Sequence, residues 1–333
     1  MEVCADRAPS HPGTTGAIRL RAVDPASRGG RSRRPLPVLL SIALPWVWFL
    51  VRDVGGPVDA IAVGLPLIGV SATVSGAIVA VITRRAWPLT AGTSIFVVCA
   101  LAVVAPRLPR EGAPPDPAMR IVMANVWDAN PTPHEVPASM LERGPDVMVA
   151  VEMPNDEFYE AMTSSASAAA LAWTVDDGEL GVWSRFPVRE LGDLGLPPAR
   201  VLRVGVDAPG SPFVLYVVHA LNPLRDTSFG DQRRFTDDLL AAIDSESRPV
   251  VVAGDFNMSD RVVSYRAMDA ALTDAMRVGE AGRTTYAGGW WTTVLLRIDH
   301  IFVDHSWCAD RAGTFVTAGS DHRGVEAAVG PCV

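Results

Sequence analysis

From Val58 to Ile82 the chain carries one ionisable side chain, Asp59, and this run constrains the fold more than any other feature. A helical crossing of a bilayer needs roughly 20 apolar residues, and the run exceeds that. Two further apolar stretches flank it: Leu36–Val51, short and interrupted by Pro45, and Pro88–Ala105. Trp46, Trp48 and Trp87 stand where interfacial aromatic residues are expected. A signal peptide has one apolar core of about 7–15 residues and would not repeat it three times. Residues 36–105 are therefore read as a transmembrane region of about three helices.

Arginine placement orients these spans. Arg28, Arg31, Arg33 and Arg34 precede the first, and Arg84 and Arg85 separate the second from the third. The loop holding Arg52, Asp53 and Asp59 has no such excess. The expected protein is a multi-pass cell-membrane protein with a cytoplasmic N-terminus and residues 107–333 on the outer face. Residues 1–35 lack a sustained apolar period and read as a disordered cytoplasmic tail. Residues 106–117 read as a stiff proline-rich linker, and residues 118–333 as the globular domain.

The two halves differ in charge. Residues 1–117 carry 12 Arg and 7 acids, residues 118–333 carry 17 Arg and 30 acids, and there is no lysine. A domain of net −13 is a poor partner for a long polyanion, because non-specific nucleic-acid binding rests on cationic neutralisation of phosphates. It suits a divalent metal, whose charge inverts the local field. Cys308 and Cys332 each follow an apolar, strand-like run; on the outer face they are candidates for a disulfide. Sequence alone leaves two separate thiols equally open, since it does not supply the Cα separation.

The globular half alternates strand and helix signals. Arg120–Val126, Val147–Val151, Pro212–His219, Val250–Ala253, Ile298–Val303 and Gly324–Val329 read as strands. Pro137–Glu142, Asp231–Asp244 and Tyr265–Met276 read as helices, the second with Phe235, Leu239, Leu240 and Ile243 on one face. Mixed elements of this kind suit packed sheets flanked by helices.

Polar residues sit at the edges of these apolar runs. Asn125 ends the first strand, Glu152 follows Val147–Val151, and His219 ends the run Phe213–Val218. Gly254-Asp255-Phe256-Asn257 follows Val-Val-Val-Ala, Asp299-His300 opens Ile-Phe-Val, and Ser320-Asp321-His322 precedes the last strand. Trp183-Ser184-Arg185-Phe186-Pro187 completes the set. Taken singly, each has an ordinary structural reading: an Asx turn, a solvated carboxylate at a sheet edge, an exposed turn arginine.

Their order over about two hundred residues resembles the endonuclease/exonuclease/phosphatase, or DNase I-like, superfamily of metal-dependent phosphoesterases. The resemblance spans most of residues 119–329 and implies a four-layer α/β sandwich with its site at one edge of two sheets. It implies a divalent cation, Mg²⁺ first and Mn²⁺ or Ca²⁺ otherwise, held by Asn125, Glu152 and Asp321. It implies His219, Asp255, Asn257, Asp299 and His322 as catalytic residues, with Asp299 orienting His322, and Arg185 and Asn257 as donors to phosphate. Asn222 would support His219, His300 would stand behind the site, and Gly254 would permit the tight turn after its strand. Many members carry an acid two residues after the first-strand Asn; here that position is Trp127, followed by Asp128.

The implied reaction is hydrolysis of a phosphodiester. Candidate substrates are nucleic acid (an extracellular nuclease), a phospholipid or sphingomyelin-type headgroup, and a small phosphodiester. The reading from another class is a catalytically silent binding domain, held to the bilayer by the same helices.

Overall fold

The computed structural model describes residues 47, 50–192, 194–197, 199–279, 284–289 and 296–332. The first apolar stretch, the N-terminal tail and His11 fall outside them, apart from residues 47, 50 and 51. Among the described residues, two helices are long and apolar enough to cross a membrane: α1, Pro57–Thr83, and α2, Trp87–Val104. They pack as a hairpin through small residues. A Cβ on Gly92 would lie 2.3 Å from the Ala72 carbonyl oxygen, and one on Gly76 2.5 Å from that of Pro88. Such small residues let helix backbones close up where no water drives association. Most of their remaining surface is apolar and exposed, including Leu67, Val70, Val74, Ile78, Phe96 and Leu101.

The other described residues form two six-stranded sheets between two helical layers. The first sheet has the order β11-β12-β1-β2-β4-β3. Its strands are β1 (Met119–Asn125), β2 (Val147–Val151), β3 (Trp173–Asp176), β4 (Gly181–Ser184), β11 (Trp307–Val316) and β12 (Arg323–Pro331). The second has the order β5-β6-β7-β8-β10-β9. It comprises β5 (Val188–Glu190), β6 (Arg200–Val206), β7 (Phe213–His219), β8 (Val250–Asp255), β9 (Thr273–Asp274) and β10 (Asp299–Val303).

The side-chain period of two explains the layers. In β1, Ile121 and Met123 enter the core between the sheets, where they join Leu215 and Val217 of β7 and Val251 and Ala253 of β8. The alternate residues Val122 and Ala124 lie under α3 (Val136–Leu141) and α4 (Asp156–Ala168). Val214, Tyr216 and Val218 pack beneath α5 (Phe229–Asp244) and α6 (Val263–Ala271). Burial on both faces is why these strands read as unbroken apolar runs. The α/β sandwich expected from the sequence is thus the observed fold.

Local differences have physical causes. The helix expected from Asp231 begins at Phe229, because Ser228 and Asp231 form a reciprocal capping box. The helix expected over Tyr265–Met276 stops at Ala271, and Asp274 enters the second sheet beside Phe302. Residues 106–117, expected as a stiff proline-rich linker, lie along the domain. Arg107 pairs with Asp260 at 3.0 Å, Arg110 with Asp269 at 2.8 Å, and Pro115 bridges to Cys332. Ion pairs and backbone pairing hold this segment down, where its proline content alone suggested a rod.

Cys308 and Cys332 form a disulfide with a Cα separation of 4.9 Å, joining the start of β11 to the chain beyond β12. The bridge closes 24 residues, and loop closure on that scale contributes about 3 kcal/mol through the unfolded chain. Replacing both cysteines by serine is expected to lower unfolding stability by that amount, read as a shift in denaturant midpoint at constant slope. A variant as stable as the parent would show the bridge to be without constraint.

Candidate active site

The sheet registers bring the polar islands to one edge. β1 and β2 are parallel, so Asn125 stands beside Val151 and Glu152 comes next. β7 and β8 are parallel, which sets His219 beside Asp255. β10 runs antiparallel to β8 and pairs Asp299, its first residue, with Asp255, its partner's last. β12 runs antiparallel to β1, so His322 precedes the strand at the same edge. Parallel strands therefore supply residues that end them, and antiparallel strands supply residues that begin them.

These groups line a cleft of about 310 Å³ that includes Glu152, His219, Asp255, Asn257, Asp321 and His322. Three non-glycine residues there, Trp127, Glu152 and Asn257, have φ of 67°, 54° and 47°. Left-handed backbone at ordinary side chains is costly and clusters at functional sites. The tight turn after β8 is made by Asn257. Gly254, expected to make it, lies inside the strand, where a Cβ would stand 1.9 Å from the Val218 carbonyl oxygen. The glycine is needed for close approach to β7.

Two histidines each lean on carboxylates. His322 Nδ1 is 2.9 Å from Asp299 Oδ2, and its Nε2 is 3.8 Å from Asp255 Oδ2. Burial depresses the His322 pKa, but Asp299 and Asp255 outweigh it and push the value up to about 10. His219 Nε2 lies 3.0 Å from Glu152 and its Nδ1 2.5 Å from Glu179. Its pKa also rises to about 10, with burial opposing and hydrogen bonds to both glutamates prevailing. Burial and the negative charge of Asp299 raise Asp255. For Glu152, burial raises the pKa, while His219 and Asn125 together hold it down to about 2.

Asn125 is a clasp. Its Nδ2 donates to Glu152 at 2.7 Å and to Asp255 at 3.0 Å, while its Oδ1 accepts from Trp127 N–H. In this orientation the amide nitrogen, not the oxygen, faces Glu152 and Asp255, and ligation of a cation beside them would require the amide turned over. Asn257 Nδ2 donates to the Ala220 carbonyl at 2.7 Å. Ser320 links the first and last strands, donating to Asn125 O and accepting from His322 N–H.

The donor set suits a hard divalent cation. Glu152, His219 and Asp255 offer ligand atoms within 4.8 Å of one another, as do Asp255, Asp299 and His322. Among the described residues, Asp299 Oδ1 and Asp321 Oδ1 are buried and accept no hydrogen bond. Oxygens of this kind are the ligands such cations take.

Arg185 does not join the site. β4 runs antiparallel to β2 and pairs Ser184 with Val147, at the end remote from Glu152. Arg185 follows it there, half-exposed and paired with Asp146 at 3.0 Å. The same register delivers Glu179, just before β4, to His219. The sequence signal for it was an acid two residues before a strand. Asp128, Arg225 and Tyr286 were likewise not singled out as site residues, yet they line the cleft, as does the expected Asn222. Tyr286 packs edge-on against His322 with ring centroids 5.1 Å apart. His300 is buried behind the site against Phe256, Tyr265 and Phe302. His134 and His305 lie in exposed positions away from it.

Known structures share this fold. An endonuclease/exonuclease/phosphatase from Beutenbergia cavernae superposes with a TM-score of 0.52 at 19% identity, over 65% of this chain and 72% of that one. A family protein from Bacteroides thetaiotaomicron gives 0.50 at 16%, over 64% and 97%. D. rerio TDP2, solved in complex with single-strand DNA product, gives 0.50 at 17%, over 64% and 98%. No curated protein sequence matches the chain. The family model for the Endonuclease/Exonuclease/phosphatase family matches residues 123–322, a span running from β1 to His322, and the chain belongs to that family.

Proposed function

We infer that the protein is a membrane-anchored, divalent-metal-dependent phosphodiesterase. The observation that carries this reading is the convergence of two histidine–carboxylate pairs on one carboxylate-rich cleft. Glu152 and Asp321, with Asn125 beside them, would hold Mg²⁺, Mn²⁺ or Ca²⁺. Bound there, the cation supplies charge neutralisation at a phosphate oxygen.

The chain's own residues account for the rest. Either Asp255 or His322, held by Asp299, takes the proton from the attacking water. His219, held by Glu179, is placed to give a proton to the leaving oxygen. Arg225 stands on the cleft wall as a donor to the phosphate, and Asn257 would join it on turning its Nδ2 from the Ala220 carbonyl. The acidic balance of residues 118–333 favours a compact phosphodiester over a nucleic-acid duplex. An outer-face location accords with Arg84 and Arg85 at the far turn of the helix hairpin and with the disulfide, which persists in oxidising surroundings.

The test is turnover of bis(4-nitrophenyl) phosphate by the full chain in detergent, with each of the three cations or with EDTA. Hydrolysis supported by at least one cation and abolished by EDTA is expected. Hydrolysis indifferent to EDTA, or none with any cation, would overturn the reading.

A further inference from the structure

One residue of the cleft lining comes from outside the sandwich. Val63 of α1 stands there beside Leu221, Pro223, Leu224, Phe229 and Leu296 of the domain. Its position is held by a specific contact. Pro66 has no N–H, so the carbonyl of Ala62 lacks its partner one turn on. Arg261, buried to 2% exposure, donates Nε to that oxygen at 3.0 Å and approaches Val63 O with Nη2 at 3.5 Å. Asp59 accepts from Val263 N–H at 2.9 Å one turn earlier. Asp260, beside Arg261, pairs with Arg107 just past α2. Both helices are thus fastened to the segment following Asp255 and Asn257.

The length of α1 matches this attachment. Its 27 residues span about 40 Å at ~1.5 Å each, about 10 Å more than a hydrocarbon core of about 30 Å. That surplus equals roughly seven residues, the stretch from Pro57 to Val63 that touches the domain. Beyond it, Leu67, Val70, Val74 and Ile78 follow Val63 at helical spacing on one face, all exposed, at 50%, 53%, 54% and 53%. An apolar stripe therefore runs without interruption from the cleft along the helix surface that would face lipid. Leu224, 62% exposed, forms the other lip.

We propose that the substrate is a phosphodiester borne by a lipid, its phosphate in the cleft beside Val63 and its chain along Leu67, Val70 and Val74 in the bilayer. This rests on the phosphodiesterase reading above and names its substrate class. Water attacks phosphorus, the P–O bond to the leaving group breaks, and the leaving oxygen takes the proton; the lipid chain needs never leave the membrane.

The probes are 4-nitrophenyl ethyl phosphate and 4-nitrophenyl hexadecyl phosphate, which differ only in the alkyl chain. Both are given to the full chain reconstituted in phosphatidylcholine vesicles. At least a tenfold preference in kcat/KM for the hexadecyl ester is expected. Val63→Arg and, on the exposed lip where folding is undisturbed, Leu224→Asp should each lower the hexadecyl-to-ethyl ratio at least fivefold. A ratio near one in the parent, or one unmoved in both variants, would overturn the lipid inference and leave the phosphodiesterase standing. No turnover of either ester would overturn both.

Discussion

Replacing His322 by alanine is expected to lower kcat/KM for bis(4-nitrophenyl) phosphate by about 10²–10⁴-fold, the range for losing a positioned proton-transfer group. Asp299→Asn should cost most of the same factor, because Asp299 acts through the 2.9 Å contact that fixes the imidazole. The double variant is the sharper measurement. Residues that act as one unit are non-additive, so the pair together should lose about what His322→Ala loses alone. Losses that multiply would mean that Asp299 and His322 serve separate purposes. Thermal melts of each variant separate chemistry from folding, since Asp299 is fully buried and its replacement also alters packing.

The largest effect on stability is expected at Asp274. This carboxylate is 2.9 Å from Arg297 Nη2 and accepts from Tyr265 OH at 2.7 Å and Met276 N–H at 2.9 Å. Arg297 is 0% exposed, and its next carboxylate, Asp260, stands 3.8 Å away. Asp274→Asn leaves that guanidinium largely uncompensated, and breaking a buried pair in this way costs about 3–5 kcal/mol. The pH dependence has a definite sign. Burial raises the Asp274 pKa, but Arg297 outweighs it and holds the folded value well below the usual carboxylate range. Its stabilisation is therefore complete above the unfolded value near ~3.9 and is lost as pH falls below it. The parent's melting temperature should drop steeply between about pH 5 and pH 2.5, and Asp274→Asn should start lower and drop less. Parallel curves would show that Asp274 carries no linked proton.

Much of the site was legible in the sequence. Glu152, His219, Asp255, Asp299, Asp321 and His322 each adjoin an apolar strand-like run, and the end of such a run at a sheet edge is where a polar residue can meet a cleft instead of the apolar core. Strand cores were legible for the same reason: runs such as Val147–Val151 and Phe213–Val218 are buried on both faces. Arg185 and Glu179 were not, because their placement depends on the direction of β4. The antiparallel register sends Ser184 and Arg185 to the remote edge and leaves Glu179 beside His219. Single-chain periodicity contains no strand direction.

The relation between the helices and the domain divides the same way. Length and apolarity sufficed to mark α1 and α2, because both are properties of a contiguous segment. Only the folded chain shows Arg261 satisfying the Ala62 carbonyl that Pro66 leaves open, a contact 199 residues apart in sequence. It also shows residues 107–116 lying against the domain. The sequence by itself picked out most of the polar residues that line the cleft and the segments apolar enough to cross a membrane, since both follow from local composition. The tertiary structure decided which of those residues meet and that Val63 of a membrane-type helix lines the cleft, since both depend on sheet register and on ion pairs between distant segments.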